Sequence, residues 1–217
     1  MPQRWTDLEF ASFLAYATHP VTHGETEARN FVIHEFKQDK VQGTQGATAT
    51  QTVALWLSQV RASTAFAHWL HPGAALVAVP GHSRQKPFSV PARLVSAMSA
   101  AGLGYKAPIH LVRERTVQKA AFAPPDKRPT AEDHYRSIIV ERGLESPAEI
   151  LVVDDVVTRG ATLLASAQLL REAFPGSLVR GFAAVRALSD RKDFRELRAP
   201  CVGRIRRWAA GGTTRRP

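Results

Sequence analysis

The chain has 217 residues, of which 44% are apolar and 22% are charged, a composition typical of a globular protein rather than a disordered or fibrous one. Its 29 Lys and Arg outnumber its 19 Asp and Glu, giving a formal net charge of +10, which favours polyanionic partners such as phosphates or nucleic acid. Cys201 is the single cysteine, which excludes an internal disulfide and a cysteine-rich metal cluster.

The N-terminal third is predicted to be mainly helical. Residues 7–17 are apolar enough for either a short helix or a strand, and their pattern leaves both open. Helices are predicted over 25–37 and 51–70, where apolar residues recur at three- and four-residue steps. No apolar run reaches the length of about 18 residues that a membrane span needs. Acidic residues stand where a secretory signal would be apolar, so the expected compartment is the cytoplasm.

From residue 73 onward, short unbroken apolar runs predict strands that are buried on both faces, as in a parallel sheet. The predicted strands cover 75–79, 109–112, 138–140, 150–153 and 179–188, and helices are predicted over 91–101 and 161–174. This alternation predicts a three-layer α/β fold, in which helices flank a central parallel β-sheet and the N-terminal helices pack onto it.

Two segments match neither pattern. Residues 113–136 are polar and charged, and a structureless stretch of this length inside a domain is usually functional. Residues 203–217 contain no acid and five arginines, namely Arg204, Arg206, Arg207, Arg215 and Arg216. A solvated, partly frayed tail is favoured over a nucleic-acid arm, because no folded recognition element accompanies these arginines.

The segment with the clearest chemistry is residues 150–163, ILVVDDVVTRGATL. It places Asp154 and Asp155 after a buried strand, at the edge where ligands bind in open α/β sheets. Residues 158–162, here called the phosphate loop, then open a helix whose unpaired N–H groups and dipole favour an anion. Thr158 and Thr162 add hydroxyl donors, and Gly160 lets the backbone approach a ligand closely. The pattern predicts a site for a phosphorylated sugar, with its phosphate in the loop and its diol on the two acids.

Three other classes of site fit this sequence less well. The chain lacks the G-x-x-x-x-G-K-[ST] loop of nucleotide-binding proteins and the D-x-D of phosphatases. The acidic pair of a receiver domain belongs near the start of a chain, not two-thirds along it. Two acids that cap a helix would account for the pair alone, but not for the complete string of strand, acids and Thr-x-Gly-x-Thr.

This string resembles the phosphoribosyl-diphosphate (PRPP) signature of the type I phosphoribosyltransferases, a family with a parallel sheet and a small variable hood. The resemblance implies that Asp154 and Asp155 lie near the ribose 2′- and 3′-hydroxyls. It also implies a 5′-phosphate bound by Thr158, Arg159, Gly160, Ala161 and Thr162. The usual pattern has a threonine where this chain has Arg159, a change that keeps the backbone donors and puts a cation beside the phosphate.

Within that family, the chain resembles the ComF-type competence proteins in three further segments. Residues 31–37 resemble a helix, ending in a lysine, that precedes the first core strand. Residues 79–84 resemble the loop that holds the diphosphate, which implies roles for His82, Ser83 and Arg84. An ordinary basic turn accounts for these three residues equally well. The zinc-binding cysteines that ComF relatives often carry near the N-terminus are absent.

The third segment, residues 111–119, resembles the start of the family's flexible loop, although Thr116 and Gln118 are offset from the usual spacing. The resemblance implies that Arg113 and Arg115 belong to a lid that excludes water from the reacting centre. A disordered loop with solvated charges is the alternative.

Taken together, the resemblance implies a single phosphoribosyltransferase-like domain over residues 1–217. Its expected parts are an N-terminal helical part (1–72), a PRPP-binding core (73–190), and a hood segment with the basic tail (191–217). Members of the family are often dimers, so the resemblance leaves a homodimer open, although the sequence does not determine the oligomeric state. No membrane partner is expected.

Two functions remain open. The favoured one is an enzyme that transfers the phosphoribosyl group of PRPP to a nitrogenous acceptor and releases diphosphate. In it, Asp154 and Asp155 are catalytic, and Mg²⁺ is held mostly by the substrate. The alternative is a non-catalytic PRPP- or nucleotide-binding accessory that contacts nucleic acid weakly through the arginine tail.

Overall fold

The structure is a computed structural model, and it describes residues 7–42, 46–82, 89–117, 128–208 and 212–217. The strands are β1 (Leu8–Ala17), β2 (Val41–Gln42), β3 (Ala47–Thr48), β4 (Ala75–Ala78), β5 (Tyr105–Lys106), β6 (Ile109–Arg113), β7 (Ile138–Arg142), β8 (Glu149–Val157), β9 (Leu178–Leu188), β10 (Cys201–Arg207) and β11 (Thr213–Arg216). The α-helices are α1 (His23–Asn30), α2 (Ala49–Val60), α3 (Val90–Ala100), α4 (Ala131–Tyr135) and α5 (Ala161–Ala173). A π-helical turn, Phe31–Phe36, continues α1.

A seven-stranded sheet in the order β11-β10-β1-β9-β8-β4-β5 forms the centre of the molecule. Five neighbouring strands, β1, β9, β8, β4 and β5, pair in parallel. Strands β10 and β11 add an antiparallel edge beside β1. Two small antiparallel pairs, β2 with β3 and β6 with β7, lie outside this sheet.

Hydrophobic side chains cover both faces of the sheet, because successive strand residues point to opposite sides. In β8, Leu151 and Val153 join the core formed with α1, α2 and α3, whereas Ile150 and Val152 join the core formed with α5. The fully apolar run in β8 therefore reflects burial on both faces. The predicted architecture, helices on both faces of a largely parallel sheet, is confirmed. Within the described ranges, no helix has the length and apolar character needed to cross a membrane.

Two elements differ from the sequence prediction, and a third is one that the sequence pattern left open. Residues 8–17, which the pattern left undecided, form β1 inside the central sheet, paired in parallel with β9. The predicted strand over 109–112 exists as β6, but it pairs antiparallel with β7 outside the central sheet, and the short β5 takes the place beside β4. The predicted helix over 51–70 ends at Val60, followed by two 3₁₀ turns.

The C-terminal arginine segment is also folded where it is described, rather than frayed. Strand β10 pairs with β1 and β11 pairs with β10, so the central sheet extends beyond residues 73–190 at both ends of the chain. Asp7 lies 2.9 Å from Arg206 Nε and 3.9 Å from Arg204 Nη1, and Arg207 Nη2 lies 3.6 Å from a Glu132 oxygen. The prediction of a solvated tail was wrong for these strands, because ladder pairing and a buried Ile205 hold them in place.

Replacing Ile205 with alanine tests whether the C-terminal segment is part of the core. Ile205 is fully buried, so Ile205→Ala is expected to lower the free energy of unfolding by about 2–5 kcal/mol in a urea titration. Leu55→Ala on α2 is the control, since Leu55 is 55% exposed and the change should cost less than about 0.5 kcal/mol. Equal, small effects of the two variants would mean that the segment is solvated.

Candidate functional site

The order of the strands creates a crevice between β4 and β8. The chain leaves β4 through α3 to reach β5 on one side, whereas it leaves β8 through α5 to reach β9 on the other. The connections after these two neighbouring parallel strands therefore diverge, and ligands bind in such crevices outside the carboxyl ends of the strands. The loop that begins with residues 79–82 lies on one side of the crevice, and the phosphate loop lies on the other.

The phosphate loop depends on the conformation of Gly160. This residue precedes α5 with φ 83° and ψ 14°, in the left-handed region that favours glycine. A Cβ at this position would also overlap the side chain of Ile205, so the turn from β8 into α5 is close to β10. Among the described residues, no side chain caps the N-terminus of α5, and the first N–H groups of this 13-residue helix are open to another acceptor. Such an end favours a bound anion.

The two acids lie within β8, close to its carboxyl end, as the sequence suggested. Asp154 is buried and pairs with Ala183 of β9, while Asp155 is partly exposed. The Asp154 Oδ1 accepts the backbone N–H of Asp155 at 2.8 Å, and the Asp155 Oδ1 accepts that of Val156 at 2.8 Å. These bonds fix both side chains on a rigid strand.

The charge of Asp154 is strongly affected by its surroundings. Burial, and then the neighbouring charge of Asp155, hold the pKa of the Asp154 carboxyl well above its ordinary value, while Lys37 acts in the opposite direction. A protonated Asp154 can donate a hydrogen bond, and the carboxyl oxygens of both residues can accept one. The pair therefore offers a ligand both an acceptor and a donor.

Tyr16 lies near the acids at the carboxyl end of β1, and sequence reasoning did not select it. Its side chain is buried, and desolvation raises the pKa of its hydroxyl, with Arg29 lowering it and Asp155 raising it further. Together with Lys37, it shows that β1 and the helical segment 23–37 contribute polar groups to the same edge of the sheet as Asp154 and Asp155.

The predicted diphosphate loop is described only in part. His82 lies at its start, and its carbonyl accepts the N–H of Val117 at 3.2 Å, which brings the segment after β6 beside this loop. Ser83 and Arg84 fall outside the described residues, so their predicted roles stay predictions.

Arg113 is buried, whereas a lid residue, the role that the sequence suggested, would be exposed in the open loop. Arg115 is exposed after β6 and remains a candidate for the lid. The Arg113 side chain is only 3% exposed. Its Nε donates to the carbonyl of Gly81 at 3.0 Å, and its Nη1 donates to Ser137 Oγ at 2.5 Å. Arg113 is thus held at the end of β6 by partners in two other segments, because a buried guanidinium requires hydrogen-bond acceptors.

Arg215 is a second arginine with an unexpected position. From β11, its Nε donates to the carbonyl of Thr158 at 2.9 Å and its Nη2 donates to the carbonyl of Ala187 at 2.8 Å. One guanidinium therefore joins the phosphate loop to the end of β9. The sequence shows an arginine-rich end, but it carries no signal that Arg215 in particular reaches the loop.

No protein-family model matches the chain, and no curated protein matches it by sequence. Among solved structures, it is similar to a hypoxanthine phosphoribosyltransferase from Staphylococcus aureus, with 11% identity, a TM-score of 0.35, and coverage of 65% of this chain and 73% of that one. A hypoxanthine phosphoribosyltransferase from Trypanosoma cruzi is 16% identical with a TM-score of 0.35, and the match covers 70% of this chain and 87% of that one. At this identity and TM-score, the likeness to these two enzymes assigns no function to this chain.

Replacing Gly160 tests the phosphate loop. Gly160→Ala is expected to cost at least about 1–2 kcal/mol of stability, because alanine disfavours this conformation and its Cβ would overlap Ile205. Adding Ile205→Val, which removes the nearest methyl group, should restore part of that loss. Gly24→Ala is the control in α1, where a Cβ meets nothing within 4 Å and stability should stay the same or rise. Equal denaturation midpoints for Gly160→Ala and Gly24→Ala would contradict the assigned backbone.

The raised pKa of Asp154 predicts that the difference in folding stability between the wild type and Asp154→Asn depends on pH. With its raised pKa, folded Asp154 keeps a proton at pH values where the unfolded carboxyl has released it. This group therefore favours folding at low pH, and that contribution is lost as the pH rises through the raised pKa. The stability of Asp154→Asn relative to the wild type should increase as the pH rises above about 4, the ordinary pKa of a carboxyl, as measured by urea denaturation.

His134 acts in the opposite direction, since burial lowers its pKa to about 4 and stability rises with pH above that value. This contribution is common to both proteins and cancels in their difference. A difference that does not change with pH would mean that Asp154 is ionised in the folded protein.

Proposed function

We propose that this protein is a PRPP-dependent phosphoribosyltransferase of type I, which transfers the phosphoribosyl group to a nitrogenous acceptor and releases diphosphate. One observation carries the proposal: an uncapped helix N-terminus, entered through left-handed Gly160, lies directly after the Asp154–Asp155 pair at the crevice between β4 and β8. PRPP joins a 5′-phosphate and a ribose diol in one molecule, which matches the chemistry of the two halves of this site.

Each group of residues would bind the part of PRPP that suits its chemistry. Backbone N–H groups at the start of α5, together with the Thr158 and Thr162 hydroxyls, would bind the 5′-phosphate, and Arg159 would add a positive charge beside it. Asp154 and Asp155 would hold the 2′- and 3′-hydroxyls. Because Asp154 is buried on a rigid strand, the ribose would be fixed relative to the loop that follows β4.

The reaction would break the bond between the anomeric carbon and the diphosphate oxygen, and the bonding electrons would leave with the diphosphate. The acceptor nitrogen would form the new bond to that carbon and lose a proton. Positive charge develops on the ribose as the bond breaks, and the Asp155 carboxylate would stabilise that charge. His82, and the predicted Ser83 and Arg84 beyond the described residues, would bind the leaving diphosphate.

The described residues include no group of three or more His, Cys, Asp or Glu side chains suited to a metal ion. Mg²⁺ commonly takes one or two carboxylates, with water and substrate phosphates as its other ligands. The partly exposed Asp155 carboxylate fits that role, with most ligands supplied by the diphosphate. When bound, Mg²⁺ would neutralise charge on the leaving group.

The relation to ComF-type proteins stays a proposal from the sequence, and so does a homodimer. Arg204 and Arg206 pair with Asp7, and Arg215 is occupied with two backbone carbonyls. These contacts favour a structural role for the C-terminal arginines.

Calorimetric titration of PRPP with Mg²⁺ tests the proposal. The wild type should bind, and Asp155→Asn should weaken binding by about ten- to a hundredfold, the range for losing a charged hydrogen bond. Asp154→Ala should weaken it by about three- to tenfold, the effect of losing one neutral hydrogen bond, because the raised pKa of Asp154 favours its protonated form. Asp7→Asn is the matched control, because Asp7 precedes β1 at the opposite edge of the sheet, and its affinity should equal that of the wild type. A folded wild type that does not bind PRPP would overturn the proposal.

If binding is found, diphosphate release should be followed with a panel of nitrogen heterocycles and amines as acceptors. Release that requires one of them identifies the acceptor class. Binding without release from any of them would favour the accessory function that the sequence left open.

A further inference from the structure

A buried chain of hydrogen bonds connects the two sides of the crevice. His134 of α4 is 8% exposed and lies between Arg113 and the phosphate loop. Its Nδ1 is 3.3 Å from Arg113 Nη2, and its Nε2 is 3.3 Å from Thr162 Oγ1. Arg113 in turn donates to the carbonyl of Gly81, in the loop after β4. One line of contacts therefore runs from that loop through Arg113 and His134 to Thr162.

The chemistry of these groups fixes the direction of each bond. A guanidinium has only donors, so His134 Nδ1 must accept from Arg113. A neutral imidazole that accepts at Nδ1 carries its proton at Nε2 and donates there. Thr162 Oγ1 must then accept from His134, which leaves the threonine's own hydroxyl proton to be donated elsewhere.

The side chain of Arg113 is held in place beside His134 by further hydrogen bonds. Besides Gly81, it donates to Ser137 Oγ, and the Ser137 hydroxyl donates to the carbonyl of His134 at 2.9 Å. The histidine is thus held by its ring and by its backbone, and ring rotation would break the bond to Arg113. Thr162 is the second residue of α5, beside the uncapped N–H groups of the helix.

We propose that Arg113 and His134 are positioning residues for phosphate binding: Arg113 holds His134 in the Nε2–H tautomer, which directs the Thr162 hydroxyl proton toward a phosphate in the loop. The proposal rests on the function proposed above and adds two residues outside the phosphate loop to that site. It also gives Arg113 a role different from that of a lid residue.

The charges around His134 support the neutral tautomer. Burial first, and then Arg113, lower the pKa of His134 to about 4, whereas Asp133 acts in the opposite direction. Burial also lowers the pKa of Arg113 to about 10, which leaves the guanidinium charged near neutral pH. Protonation of His134 would put an N–H against the donors of Arg113, so the neutral ring is favoured throughout the neutral range.

The tautomer is measured first, on the full wild-type chain without ligand. Long-range ¹H–¹⁵N correlation spectra of the histidine rings, assigned with His134→Gln, should show His134 as the Nε2–H form at neutral pH. They should show no titration until the pH approaches about 4, as the lowered pKa requires. The Nδ1–H form, or a ring that titrates near its ordinary pKa, would overturn the proposal whether or not any variant folds.

A double-mutant cycle then tests the link to the ligand, with PRPP and Mg²⁺ as the calorimetric probe. His134→Phe keeps a ring but removes both nitrogens, and Thr162→Val removes the hydroxyl. Each should weaken binding by about three- to tenfold, the effect of one hydrogen bond. The double variant should bind no more weakly than Thr162→Val, because His134 acts through that hydroxyl. Independent, multiplying effects would overturn the proposal.

Two controls separate positioning from structure. His134→Gln can place an N–H donor toward Thr162, and it should bind within about threefold of the wild type, less than one average hydrogen bond. His71→Phe makes the same change near the amino end of β4, where His71 contacts Glu149 at 3.6 Å, and it should leave affinity unchanged. If the folded wild type does not bind PRPP, the proposed function itself fails. Wild-type binding with a multiplicative cycle overturns only the role of His134.

Discussion

The parallel pairing of β8 with β4 on one side and β9 on the other is the constraint on which the candidate site depends. It buries both faces of β8 and brings the carboxyl ends of three strands to one edge. Because the connections after β4 and β8 leave in opposite directions, that edge opens into a crevice. Asp154 and Asp155 lie near the carboxyl end of β8, so their positions are set by the hydrophobic packing on both faces of this strand.

The region around the crevice is unusually polar for the edge of a core. Asp154, Arg113 and His134 are all buried, and each needs a partner to offset the loss of water. The partners are supplied from distant parts of the chain: Asp155 beside Asp154, Gly81 and Ser137 for Arg113, and Thr162 for His134. Such a network holds its members in one geometry, at a cost in stability that a purely hydrophobic cluster would not carry. Pre-organised polar groups of this kind are what a site for a charged ligand requires.

The C-terminal segment has a different role in the structure from the one that its composition suggests. Its arginine content alone is typical of a basic tail that binds nucleic acid. In the fold, β10 and β11 extend the sheet beside β1, Ile205 packs against Gly160, and Arg215 bonds to the carbonyl of Thr158. The last strand of the chain thus supports the turn that opens α5, and a segment remote in sequence becomes part of the wall of the site.

The sequence alone determined the parts that depend on neighbouring residues. The apolar run in β8 predicted a strand buried on both faces, and the acids followed by Thr-x-Gly-x-Thr predicted a turn into a helix, because strand burial, glycine conformation and helix ends are local properties. Residues 8–17 could not be assigned from their pattern, since a strand enclosed on both faces loses the alternation that separates it from a buried helix.

Only the tertiary structure decided which distant groups meet. His134 is 21 residues from Arg113 and 28 residues from Thr162 in the sequence, yet it contacts both. Arg215 is 57 residues from Thr158 and donates to its carbonyl. A long charged side chain has the same appearance in sequence whether it is solvated or buried, because its environment is set by the strands and helices that pack around it. The sequence therefore determined the site's central turn and its two acids, and the packing of the whole chain decided which arginines and which histidine support them.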